Sequence, residues 1–206
     1  EIYGAASEYK QGCLVFDHAR GMIKQEPTLS GRCQVYNGQS KAVTVEQTLS
    51  AYRVISAEAY SKHGYNTHMC VLDELHAQSD GELVDVMETS TANRRQPMII
   101  YLTTSDFERE GSVCNEKHDY ATKVRDGVIS VPEFLPVIFE ATVDDDWSDP
   151  EVWKKANPNL GVSVSVDYLE KACAKAKELP RFTNEFKRLH LNIRTEQSEL
   201  WIPLDK

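Results

Sequence analysis

Apolar positions along the chain come in two textures, short continuous runs and helical stripes, and their alternation predicts the architecture. EIYGAA (1–6) is a short run of strand type, with Ser7 standing where a helix cap belongs. SEYKQGCLVFDHARGMI follows, and its Cys13, Val15, Phe16, Ala19 and Ile23 approximate one helical stripe. Residues 31–41 are polar and turn-rich, and 42–56 read as short strands whose pairing the pattern leaves open. Residues 67–72 form a strand of the continuously apolar kind expected when both faces are covered. Residues 79–94 predict a helix that buries Leu83, Val84, Val86 and Met87, and Met98 to Leu102 predicts a second buried strand. Together 67–104 make one β-α-β unit, expected to cross over right-handedly.

After that unit the texture changes. Residues 111–127 predict an amphipathic helix closed by Gly127, and 134–141 is another apolar run that leads into the acid-rich DDDWSDPE. Ser148, Asp149 and Pro150 mark a helix start, and two further helices are predicted at 165–179 and 181–192, separated by Pro180. Strands alternating with helices predict an α/β fold with a mostly parallel sheet flanked by helices. The strand-poor remainder predicts a helical C-terminal lid or linker, with the division between 143 and 144.

Composition narrows the class. A chain of 206 residues, 41% hydrophobic, can bury a real core. No apolar run approaches the roughly 20 residues a membrane-spanning helix needs, and no basic-then-apolar leader opens the sequence, so no membrane role and a soluble protein are expected. Five cysteines, odd in number and irregularly spaced, do not form a disulfide framework, and a reducing compartment follows. The net charge of -9 excludes coating nucleic acid by bulk electrostatics. Any DNA contact would need a local basic patch or a ring of copies.

The candidate chemistry lies in HMCVLDELHA (68–77), where an apolar strand runs straight into two acids. In a parallel sheet such a strand end faces the crevice where ligands bind. The pattern is that of a Walker B element: Asp73 would support Mg2+ on a nucleotide and Glu74 would polarise the attacking water. The plain alternative is a pair of solvated acids after a core strand. The neighbouring strand MIIYL ends in Thr103, Thr104 and Ser105, hydroxyls suited to sensing a terminal phosphate, or to capping a turn. His76 reads as a polar loop residue. His63, His68, Cys70 and His76 lack the spacing of a zinc site, with Cys70 expected inside the strand. Asp144, Asp145, Asp146 and Asp149 lack the spacing of a calcium loop and read as a solvated linker. Trp147 and Trp153 are read as packing anchors, and Lys171, Lys175 and Lys177 as a solvent-facing row.

CVLDELHA, RRQPMIIYLTTS, WSDPEVWKKANPNLG, FTNEFKRLHLNI and the earlier EYKQGCLVFDHARGMI together resemble the large terminase subunit of tailed bacteriophages. The resemblance covers most of the chain and implies a P-loop NTPase-like (RecA/ASCE-type) fold, incomplete at its N-terminus. It implies a DNA-packaging ATPase motor that uses ATP and Mg2+, joined to a nuclease that cuts concatemeric DNA. By the same resemblance Asp73 is the Mg2+-supporting carboxylate, Glu74 the catalytic base, and Thr103, Thr104 and Ser105 the coupling motif. Arg94 and Arg95 close the helix before the second strand, where cations suit the dipole, and are candidate arginine fingers acting on a neighbouring subunit. The implied partners are double-stranded viral DNA, the portal protein, the small terminase subunit and further copies in a ring, and the implied location is the host bacterial cytoplasm at the procapsid portal. Two departures stand out. No Gly-x-x-x-x-Gly-Lys-Ser/Thr loop occurs, since Gly4, Gly12, Gly21, Gly31 and Gly38 never precede the required Lys and hydroxyl, and the family's nuclease acids lie beyond residue 206. The expectation is a middle fragment, inactive alone. A superfamily-2 helicase fragment, whose strand end can also read Asp-Glu-x-His, and a non-enzymatic interaction domain stay open.

Overall fold

The computed structural model describes residues 1–57 and 64–196. The chain divides into two compact units, Glu1–Thr103 and Thr104–Lys206. The division falls well upstream of the 143/144 boundary that the change in texture suggests.

The first unit is a six-stranded mixed sheet. Its strands are β1 (Ile2–Ala6), β2 (Gln34–Asn37), β3 (Lys41–Val45), β4 (Ser50–Ser56), β5 (Met69–Asp73) and β6 (Met98–Leu102), in spatial order β2-β3-β4-β1-β5-β6. The block β4-β1-β5-β6 is parallel, while β2 and β3 add an antiparallel edge. β2 lies inside the stretch expected to be only turns. Val35 pairs with Val43 and packs toward the cluster of Cys13, Phe16 and Val54, so one apolar contact recruits an otherwise polar segment.

Helix α1 (Tyr9–Gln25) follows β1, starting from Glu8 with no side-chain cap, so Ser7 stands one residue too early to cap it. α1 buries Gly12, Cys13 and Phe16 against the sheet, and a short α2 (Pro27–Ser30) follows. Gly12 permits the close approach: a Cβ there would stand 2.9 Å from Val54 Cγ1. Helix α3 (Glu82–Thr89) is shorter than the predicted 79–94. Asp80 already accepts the Glu82 amide N–H at 3.0 Å, and at the far end Thr89 Oγ1 donates to the Asp85 carbonyl at 2.7 Å. Ser90 Oγ bonds the Met87 carbonyl at 2.8 Å, so side chains satisfy the terminal groups that another helical turn would otherwise use. β5, α3 and β6 form the expected β-α-β unit, with Leu83, Val84 and Met87 fully buried beneath it. β6, however, is an edge strand, half-buried at its centre and exposed at Met98 and Leu102, and not the buried strand its apolar run predicts.

The second unit is helical among its described residues. α4 (Val113–Arg125) is capped by Ser112, whose hydroxyl accepts the Asn115 N–H, and beyond its end Gly127 takes φ 72°, the left-handed turn expected there. α5 (Pro150–Ala156) starts at Asp149 with Pro150 in its first turn, and α6 (Val166–Glu178) and α7 (Arg181–Leu191) complete the set. Its core is Trp153, Leu169, Cys173, Phe186, Leu191 and Ile193. Trp147 and Trp153 both pack against Phe186, one tilted and one edge-on, at 5.8 and 6.1 Å between ring centroids, which makes them packing anchors as expected. Asn157 Nδ2 donates to the carbonyls of Trp153 and His190, joining α5 to α7. Lys171, Lys175 and Lys177 are all exposed, as expected, with Lys175 Nζ 3.5 Å from the Phe182 ring centroid and Lys171 in a surface pair with Asp167 at 2.7 Å.

Candidate functional site

β5 and β6 are in register with Leu72 opposite Tyr101 and Asp73 opposite Leu102, so Asp73 ends one strand where its neighbour delivers Thr103. The post beneath the acids is dry. Cys70 and Leu72 are fully buried, and burial pushes the Cys70 thiol up to about 12, which keeps it a protonated small hydrophobe.

Glu74 leaves the strand in the left-handed region, at φ 52° and ψ 53°. For a non-glycine residue that conformation costs about 1–2 kcal/mol. Two features hold it. Leu75, 1% exposed, plugs into the core, and a one-turn helix closes behind it through Ala77 N–H to the Glu74 carbonyl at 2.8 Å. The Glu74 amide donates to Asp73 Oδ1 at 3.0 Å, so the turn fixes the Asp73 carboxylate.

His76 is more than a polar loop residue. Its backbone N–H donates to Thr103 Oγ1 at 3.0 Å, and its ring Nδ1 lies 3.1 Å from that oxygen and 3.1 Å from Glu74 Oε2. The Glu74 side chain is 38% exposed and that of His76 18%. A pair so open to water adds roughly 0.2–1 kcal/mol to stability, too little to explain the strained turn. The structure therefore brings together Asp73, Glu74, His76 and Thr103. The sequence signal for His76 was its position two residues past the second acid, but only the pairing of β5 with β6 reveals what it touches.

Thr104 and Ser105 begin the second unit. The Cys114 thiol points at the Thr104 carbonyl at 3.8 Å, and the Ser105 N–H donates to Asn192 Oδ1 at 3.3 Å. Asp106, 2% exposed, then accepts from Arg109 and Ser112 at 2.9 and 2.7 Å. Arg94 and Arg95 precede β6 and so stand at the end of the sheet opposite Asp73. Arg94 donates to the Asn66 carbonyl at 2.9 Å, while Arg95 is exposed. His63, one of the residues weighed for zinc, lies outside the described residues. Among the described residues no three His, Cys, Asp or Glu side chains gather as a metal site. Asp145, Asp146 and Asp149 serve local turns instead, accepting from Thr142, Ser148 and Glu151. No helix among the described residues is long and apolar enough to cross a membrane.

A mixed, mostly parallel sheet flanked by helices, with adjacent strands ending in an acid pair and a hydroxyl, has the α/β architecture of a P-loop NTPase-like fold. The chain belongs to the terminase large subunit family: the model of its ATPase domain matches residues 1–123 and that of its endonuclease domain residues 132–206. Protein YmfN of Escherichia coli (strain K12) is 34% identical over 161 residues, 78% of this chain and 35% of that protein. The large terminase subunit of Enterobacteria phage HK97 is 27% identical over 197 residues, 94% of this chain and 38% of that protein. The crystal structure of the HK97 bacteriophage large terminase superposes with a TM-score of 0.81 at 28% identity, covering 94% of this chain and 39% of that one. The chain thus spans little more than a third of the length of the curated relatives it matches. Family membership removes the helicase reading.

Proposed function

We propose that these residues belong to the ATPase motor of a DNA-packaging terminase, which couples ATP hydrolysis to translocation of viral DNA into a procapsid. The observation that carries the reading is the convergence of Asp73, Glu74 and Thr103 at the ends of two paired parallel strands. In this reading Asp73 supports Mg2+ carried by the nucleotide. A lone half-buried carboxylate fits that ion, which binds through one or two protein acids plus substrate phosphates rather than in an all-protein cage. Glu74 orients and deprotonates the attacking water. The bound metal would neutralise charge on the phosphates, and the protein's share is to present the two acids side by side at the strand end through the Glu74 turn.

The phosphate-binding loop has no counterpart within residues 1–206, so these residues alone are expected to be inactive, and turnover belongs to a longer protein that carries such a loop. Residues 1–143 would form the motor portion, and 144–206 the helical lid or linker leading into the endonuclease, whose family model already begins at residue 132. Thr103, Thr104 and Ser105 would transmit hydrolysis to movement. Arg95 is better placed than Arg94 to act on a neighbouring subunit of a ring, because Arg94 is occupied by the Asn66 carbonyl. Double-stranded viral DNA, the portal protein and the small terminase subunit are the corresponding partners, and the procapsid portal in the host bacterial cytoplasm is the place of action.

The test uses the longer protein. Glu74→Gln is expected to retain nucleotide binding and lower kcat by at least about a hundredfold, since the base acts only on the water. Steady-state hydrolysis and an independent nucleotide-binding assay separate the two effects. Turnover near the wild-type rate would reject the assignment.

A further inference from the structure

His76 Nδ1 lies 3.1 Å from both Glu74 Oε2 and Thr103 Oγ1. One ring nitrogen facing two oxygens has two exclusive arrangements. Protonated, Nδ1 donates to the Glu74 carboxylate. Unprotonated, it accepts the Thr103 hydroxyl proton. A carboxylate turned toward the ring selects the first arrangement, because two facing acceptors repel. A carboxylate turned away from the ring allows the second, with the ring proton on Nε2. The position of Glu74 therefore bears on whether the Thr103 hydroxyl donates to the ring.

Thr103 is also the last residue of the first unit. The residues that follow it are held within the second unit: the Thr104 carbonyl faces Cys114 Sγ, and the Ser105 N–H is bound by Asn192, the residue that ends α7 at φ 53°. A change at Thr103 thus acts on a chain segment whose next residues are anchored in a different compact unit. We propose that His76 is a positioning residue that reports the orientation of Glu74 to Thr103, so that the acid acting on water is linked to the junction between the units. This inference rests on the motor reading of Glu74. His76 touches neither nucleotide nor metal in it and acts through Glu74 and Thr103.

Two measurements test it. In the 206-residue chain labelled with 15N-histidine, ring shifts at one neutral pH show which nitrogen of His76 carries the proton, with His76→Asn assigning the signal and His18 on α1 as the distant control. The wild type is expected to hold the proton on Nδ1. Glu74→Ala is expected to move it to Nε2, and adding Thr103→Val to reduce that move, with His18 unchanged throughout. A His76 signal that ignores Glu74→Ala overturns the proposal without reference to catalysis.

In the longer protein, His76→Ala is expected to lower kcat on the order of tenfold, with KM for ATP changed by less than about twofold. His76→Asn should recover part of the loss, since its amide donates to Glu74 and its carbonyl accepts from Thr103. If Glu74→Gln abolishes turnover while His76→Ala leaves kcat intact, the inference fails and the motor reading stands. If Glu74→Gln itself leaves turnover intact, both fail.

Discussion

Gly12 and Glu74 show how single residues set the geometry of this chain in opposite ways. Gly12 acts by what it lacks. Its missing Cβ lets α1 lie against β1 and β4, where a methyl would press on the stiff, β-branched Val54 at 2.9 Å. Gly12→Ala is therefore expected to lower stability by about 1–3 kcal/mol despite its better helix propensity, as measured by urea unfolding. A stability gain would mean that the helix simply shifts and that the close approach carries no constraint. Glu74 acts by what it tolerates, a left-handed backbone stabilised by the buried Leu75 and a one-turn helix. The acid pair was legible as letters, because an apolar run that leads straight into two carboxylates marks the end of a covered strand. Its strain was not legible, since nothing in the residue type Glu announces a positive φ.

At the scale of elements, the long periodic segments were readable and their ends were not. β1, β5, β6 and helices α4 to α7 fall where apolar spacing and caps place them, for Ser112, Asp149 and Ser165 are strong local signals. α3 was overextended, because Thr89 and Ser90 bond back to its own last turn rather than continuing it. β2 was missed, because an edge strand with exposed faces carries no alternation to read. The acidic stretch before α5 was legible as a linker but not as a folded one. Asp145 ties Lys155 of α5 at 2.6 Å to the Thr142 amide and hydroxyl, and these contacts hold its carboxyl down from the ordinary 3.8 to about 2. A folded-state value below the unfolded one stabilises the turn fully above the ordinary value, and that contribution is lost as pH falls from 3.8 toward about 2. Titration of the Asp145 carboxyl carbon by NMR should show the depressed midpoint, and Lys155→Ala should raise it. A midpoint at the ordinary value would mean that the turn does not persist in solution.

At the scale of the whole molecule, the contacts group the chain at 103/104, upstream of the 143/144 boundary expected from texture. Residues 104–143 are bound to the segment after 144 by many links. The Ala141 N–H donates to the Leu191 carbonyl, Asn192 Nδ2 to the Phe139 carbonyl at 2.9 Å, and Arg194 pairs with Asp119 at 2.6 Å. Ala141 is itself part of the helical core. A piece comprising 104–206 is therefore expected to unfold cooperatively on heating, followed by circular dichroism, while a piece comprising 144–206 should melt broadly with reduced helicity. Equal cooperativity in the two pieces would return the boundary to 143/144. Residues of the hydrophobic run at 134–141 meet neighbours some fifty positions later in the chain, a distance over which local pattern carries no information.

By itself the sequence determined what local physics controls. The apolar runs at 2–6 and 69–73 become strands with buried positions, the capped stripes become helices, and two acids stand at the carboxyl end of a parallel strand. Tertiary structure alone decided what depends on pairing. The register of β5 on β6 sets Thr103 against the turn that carries His76, and the core around Leu75 holds Glu74 in a conformation its residue type disfavours. Spacing along a chain specifies which way a side chain faces, but only the closing of non-local contacts specifies what it meets.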